Sequence, residues 1–412
     1  MKILKSYLYE KIKRIVNLTD VVDIHTHLFP KEFGNLFLYG IDEILTYHYL
    51  ISEYFTYEKN IKPEEFYNFD KKKQAELIWQ KLFIEHTPIS EATKGVVTIL
   101  NTLGIDLKQK NLSKIREYFR TIDIDEYIDK IFKLTKIKYV IMTNNPFSKD
   151  EVKVWEKLSF FNDKRFKSSL RIDDLLFNFL AISREMDLSS SLIDEFDIKN
   201  LRKFLSYWIK KINPVYFICS FPPNFKYPDE NDIRSKILDR IIFPILKEYS
   251  MPFVAMFGVL RNVNPKLNLA GDAAGKSDLN TILNFLKNNE NIKFLMTFLH
   301  PNEIYETAVL ARKFNNLMLF SCWWFTNIPY LINETLRIRI ELLGTNFIAY
   351  HSDARVLEHL IYKWSNFKNI LTEVLTDKYY SLLKSGWNIN FEEIKKDISA
   401  LLHNNFNNFI SS

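Results

Sequence analysis

The chain has two cysteines and nine glycines in 412 residues, and no long block of one charge; each scarcity narrows what it can be. Cys219 and Cys322 stand far apart in apolar stretches and no CxxC occurs, which excludes a disulfide framework and a cysteine metal knuckle. Two buried thiols in a reducing compartment are expected. No Gly-rich phosphate turn follows any β-rich run, which removes the main signature of a nucleotide-binding doubly wound sheet. No stretch approaches the roughly 18 apolar residues of a membrane span. The opening MKILKSYLYEKIKRIVNLTD breaks its apolar positions with charge every few residues, so it reads as an amphipathic helix and not a signal peptide. A cytoplasmic protein without a membrane partner is expected. The 56 basic and 50 acidic side chains leave a formal charge of +6, but they are interspersed, as in KPEEFYNFDKKKQAELIWQK. Such a surface predicts no nucleic-acid partner and suits a small anionic substrate.

What is abundant is apolar. At 47% hydrophobic and 15% aromatic residues, the chain can bury a large core and is not disordered. Eight short β-rich runs recur: VVDIH (21–25), KYVIMT (138–143), SSLRI (168–172), VYFICS (215–220), PFVAMFGV (252–259), KFLMTFL (293–299), LMLFSCWW (317–324) and NFIAYHS (346–352). Between them, segments such as LNTILNFLKNN carry the i, i+3, i+4 spacing of helices. Continuous apolar strands alternating with helices predict an α/β fold, a distorted (β/α)8 TIM-type barrel. One interval is irregular. Residues 31–137 are long, charged and helical in pattern, and are expected to form a helical insertion covering the C-terminal face of a single barrel domain, 1–412.

Two strand ends carry chemistry. In DIHTH, His25 and His27 are two residues apart and so share a face, with Cα atoms about 6–7 Å apart, close enough to hold one metal ion. The alternative is a pair of solvent-facing histidines. At the end of the eighth run, HSDAR supplies Asp353 and Arg355. Barrel closure would bring Asp353 beside the two histidines, and two imidazoles with a carboxylate suit Zn2+ or Mn2+. His351 shares a face with Asp353, as support for the site or as plain packing. Met256 reads as core filler, and His86, His359 and His403 as structural or exposed positions.

DIHTHLFP, FGNLFLYGIDEILTYHYL, CWWF and HSDARVLEHLIYKW, in that order over nearly the whole chain, resemble the uronate isomerases of the amidohydrolase superfamily. The resemblance implies aldose–ketose isomerisation of D-glucuronate to D-fructuronate, and of D-galacturonate to D-tagaturonate. It implies His25, His27 and Asp353 as ligands of one divalent ion, Zn2+ with Mn2+ or Fe2+ as alternatives. It places His48 and Tyr49 at the sugar as proton-transfer residues, and gives Asp353 a second role as base in ring opening. Arg171 and Arg355 fall on substrate-binding positions, Arg355 also within the catalytic set. Trp323 and Trp324 fall on the pocket wall, although strand alternation predicts that only one of them lines it. Arg171 could instead merely pair with Asp173 or Asp174.

Four departures accompany the likeness. The fourth strand ends in Cys219-Ser220 where many superfamily hydrolases place a lysine. Met256 on the fifth occupies a position that is histidine in some longer uronate isomerases. Asn145 stands where aspartate is expected, and His300 lies beyond the sixth run. A two-metal centre is therefore not expected. The competing class is a mononuclear metal-dependent hydrolase acting on an amide or lactone. A uronic acid is the expected small-molecule partner, and a homo-oligomer the expected assembly.

Overall fold

The computed structural model describes residues 2–158, 161–186, 188 and 194–411. Seven parallel strands form one curled sheet: β1 (Val21–Thr26), β2 (Ile137–Asn144), β3 (Phe166–Arg171), β4 (Phe217–Phe221), β5 (Phe253–Phe257), β6 (Phe294–Phe298) and β7 (Leu317–Leu319). Each pairs with the next in chain order, which is the topology of a distorted TIM barrel.

Strand periodicity divides the core in two. Phe217, Cys219 and Phe221 face outward with Phe253, Ala255, Phe257, Phe294, Met296 and Phe298, packing against the surrounding helices. Ile218, Val254, Met256 and Leu295, the alternate positions, fill the barrel interior with Val22, Ile24 and Ile141. A period of two sends neighbours to opposite faces, and burial of both faces explains why these strands read as unbroken apolar runs. Met256 and both cysteines are buried, and the thiols are free.

The eighth run departs from expectation. NFIAYHS makes one isolated bridge, Phe320 with Ile348, and no regular strand. The ring nevertheless closes through it. Ile348 N–H donates to Leu319 O (2.9 Å) and His351 N–H to Ser321 O (3.1 Å); on the other side Asp353 N–H donates to His25 O (3.2 Å) and His27 N–H to Ala354 O (2.8 Å). The fully buried Asp23 carboxylate locks the seam, accepting from Ser352 N–H (3.1 Å) and from the Trp364 indole (2.8 Å). The C-terminal segment explains the irregularity. Leu401 O accepts from Ala349 N–H (3.1 Å), the Asn405 amide donates to Phe347 O (2.8 Å), and Phe406 enters the barrel interior. Backbone groups engaged by that segment are not free to pair as a strand.

Between β1 and β2 the chain runs through helices, among them His48–Tyr57, Lys71–Trp79, Glu91–Thr102, Leu112–Arg120 and Ile124–Thr135. Asp70, Ser90, Asn111 and Asp123 each accept a first-turn N–H, which is why those helices start where they do. Among the described residues no helix is long and apolar enough to cross a membrane.

Glu358 ties this segment to the long helix His359–Lys384, accepting from Gly40 N–H (2.9 Å) and the Tyr127 hydroxyl (3.0 Å). Burial pushes its carboxyl up to about 7. A raised folded-state value means the protonated form's stabilisation is complete below the unfolded value near 4.5 and is lost as pH rises through 7. Glu358→Gln keeps an acceptor for both donors and cannot ionise. Between pH 5 and 8, wild type is expected to lose on the order of 2 kcal/mol relative to the variant. Urea melts across that range measure it; parallel pH profiles would contradict it.

Candidate metal and substrate site

β1 and the closing segment meet at the C-terminal mouth of the barrel. Strict alternation would send His25 outward with Val21 and Asp23. A register shift in the β1–β2 pairing falls between Asp23 and Thr26, and both imidazoles open into the mouth with ring centroids 5.2 Å apart. Such irregularities re-aim side chains at strand ends. Asp353 arrives from the other side with a left-handed φ of 52°, a conformation held by its N–H bond to His25 O.

Asp353 Oδ1 stands 3.4 Å from His25 Nε2 and 3.4 Å from His27 Nε2, is buried, and takes no hydrogen bond. All three ligand atoms lie within 4.8 Å of one another. Thr143 fixes one tautomer: its hydroxyl donates to Thr26 O (2.9 Å), so it accepts from His25 Nδ1 (3.2 Å), leaving the Nε2 lone pair for the site. Burial, then the charge of Arg355, pushes His27 well below the usual imidazole range. Burial raises the Asp353 carboxyl, but the two imidazoles beside it outweigh burial and hold it well below the carboxylate range. A carboxylate and two imidazole nitrogens facing one another form a donor set that fits one divalent ion of the Zn2+, Mn2+ or Fe2+ kind.

The substrate candidates surround this cluster. His25, His27, His48, Arg171, Trp323, Trp324, Asp353 and Arg355 all line one cavity of about 30 Å³, which adjoins a wider one of about 520 Å³. Arg171, Ser220, Arg261 and Arg355 border both. Two of the three arginines are engaged: Arg171 pairs with Asp173 (2.8 Å) and Arg261 with Asp272 (2.5 Å). Arg171 therefore both lines the cavity and makes the expected ion pair. Arg355 makes no ion pair among the described residues, and its Nε is buried without a partner. Burial, then the charge of Arg355, pushes the His48 imidazole well below its usual range.

Two expectations need correction. Trp323 and Trp324 both line the cavity because β7 has already ended at Leu319, and Trp324 turns at φ 46° into a short 3-10 turn. Tyr49 is not on the cavity wall; its ring stacks on Phe325 at 6.0 Å, and its hydroxyl is buried without a partner. His351 packs beside His25 at 5.6 Å and donates from Nδ1 to Ser321 O (2.7 Å). His300 caps the helix Pro301–Ala311, accepting from Asn302 N–H, and Asn145 donates to Asp174 (2.6 Å). Sequence reading missed Thr143, Ser220 and Arg261. Thr143 and Ser220 sit at C-terminal ends of β2 and β4, where barrel sites are built, and that rule could have found them. Arg261 lies in a loop beyond β5, with only its charge as a signal.

No protein-family model and no curated protein sequence matches the chain. Solved structures do. A uronate isomerase from Bacillus halodurans C-125 is 42% identical, with 99% of this chain and 97% of that one covered and a TM-score of 0.96. A uronate isomerase from Thermotoga maritima shares 16% identity over 98% and 97% of the two chains, TM-score 0.78. A glucuronate isomerase from Caulobacter crescentus shares 13% over 99% and 94%, TM-score 0.76. The last two show the shared fold. The first, at that identity over both full lengths, shows the family: this chain belongs to the uronate isomerases.

Proposed function

We propose that the chain interconverts a hexuronate and its ketose, D-glucuronate with D-fructuronate and/or D-galacturonate with D-tagaturonate, through an enediol. The observation that carries this reading is Arg355, which makes no ion pair among the described residues, bordering the same small cavity as the His25–His27–Asp353 cluster. A sugar acid offers both halves of the match, a carboxylate for a guanidinium fork and vicinal oxygens for a divalent ion.

His25, His27 and Asp353 would hold the ion, which when bound polarises a carbonyl and its neighbouring hydroxyl. The chain's own groups do the rest. Arg355, assisted by Arg171, binds the substrate carboxylate and sets the sugar's direction in the mouth. Trp323 and Trp324 exclude water from one wall. His48 is neutral on the cavity wall and so can accept or donate a proton as hydrogen moves from C2 to C1. Tyr49 stands behind it at a ring separation of 4.6 Å, and Asp353 is the base for ring opening. In this reading residues 31–137 are the cover that carries His48 over the mouth of a single-domain barrel.

Incubating metal-loaded protein with each uronate and assaying ketose formation tests the proposal. Ketose from at least one of them is expected. Hydrolysis of an amide or lactone with neither uronate converted would overturn it in favour of a metal hydrolase.

A further inference from the structure

Behind His48 and Tyr49 lies a group of buried polar atoms that the proposed chemistry does not use. The hydroxyls of Tyr47 and Tyr49, Nδ1 of His359 and Nζ of Lys363 are all buried and make no hydrogen bond among the described residues. Lys363 is 1% exposed and His359 2%. An ammonium buried without an acceptor costs several kcal/mol, so packing alone does not account for a lysine there.

Side-chain contacts connect these residues. Tyr47 touches His48 and Tyr49 at ring separations of 4.2 and 4.8 Å, and reaches His359 at 4.4 Å. His359, Tyr362 and Lys363 share one helix face at i, i+3 and i+4. The Lys363 ammonium sits 5.9 Å from the Tyr49 ring centre and 5.6 Å from that of Tyr362. Beyond Tyr362 opens a separate cavity of about 110 Å³, bordered by Glu91, Gly95 and Asn366. Gly95 makes the thin wall possible, since a Cβ there would meet the Tyr362 ring at 2.8 Å. Glu91, on the far side, is the leading stabiliser of the Lys363 charge against burial.

We propose that Tyr47, His359 and Lys363 form a proton-exchange route, bridged by internal water, from His48 on the cavity wall, past Tyr49, to the outer cavity at Glu91. The inference rests on the isomerase reading. With a sugar acid in the mouth, the base that holds the substrate's carbon-bound hydrogen is cut off from bulk water on that side. The route gives it another. The protonated base passes one proton to a neighbouring lone pair and receives one back from solvent, so in D2O the base carries deuterium, water carries the hydrogen, and no net charge moves. Unpartnered buried donors and acceptors in a polar line are the sites where internal water binds.

The test compares metal-loaded wild type, Lys363→Met and Glu91→Gln converting a uronate in D2O, with deuterium at the proton-receiving carbon of the product read by NMR. Wild type is expected to incorporate deuterium. Lys363→Met is expected to lower that incorporation at least about fivefold, with KM within about twofold of wild type, and with an unchanged or higher Tm because a buried charge is gone. Glu91→Gln, at the outer end, is expected to lower it in the same direction and serves if Lys363→Met does not fold. A wild type that turns over without incorporating deuterium overturns the route, as does undiminished incorporation in the variants. A lowered Tm with undiminished incorporation also overturns it, making Lys363 structural. Wild-type protein that converts neither uronate fails the isomerase reading itself and removes the route with it.

Discussion

His25→Asn is expected to yield a folded chain that retains no stoichiometric metal and converts uronate slower by a factor on the order of 10³ or more. Asparagine reproduces histidine only as far as Nδ1. It can therefore keep the bond to Thr143, which anchors the position, while withdrawing the Nε2 donor that faces Asp353 at 3.4 Å. The loss is then of one ligand and not of the fold around it. Metal analysis of the purified variant, circular dichroism and a ketose assay together measure the effect. Turnover near wild type, with or without metal, would remove the ion from the mechanism.

The second large effect is expected at Arg355. Arg171 and Arg261 each spend part of their guanidinium on an aspartate, whereas Arg355 lines the cavity and makes no ion pair among the described residues. A bond to a charged group contributes about 1.5–3 kcal/mol and a forked pair more, so Arg355→Met should lower kcat/KM by about 10²-fold. The fall is expected mainly as a raised KM, because a carboxylate distant from the reacting carbons binds similarly in ground and transition states. Bound metal should persist, since none of its ligands is touched. Arg171→Met should cost less. Unchanged kinetics for Arg355→Met would place the carboxylate elsewhere.

The barrel was legible because burial on both strand faces leaves continuous apolar runs, and period-two alternation then sorts Phe217, Cys219 and Phe221 outward and Ile218 inward. His25 and His27 were legible as a spacing, and Asp353 as a carboxylate at a strand end. The rest depended on contacts distant in sequence. The eighth strand is replaced by a bridged segment because Leu401 and Asn405, some fifty residues away, take its backbone groups. Trp324 reaches the cavity through a left-handed turn that nothing in CWWF announces, since tryptophan rarely adopts it. Tyr49 falls behind the wall because His48, one residue earlier on the same helix, takes the inward direction. His359 reads from the sequence as a structural or exposed position; only the fold shows it buried against Tyr47, with Lys363 buried one turn on beside Tyr49.

The most direct measurement is anomalous diffraction at the zinc edge from crystals of the zinc-loaded protein soaked with glucuronate. One peak within bonding distance of His25 Nε2, His27 Nε2 and an Asp353 oxygen is expected, with the sugar acid's carboxylate on Arg355. An anomalous peak elsewhere, or those three side chains turned away from one another around no ion, would contradict it.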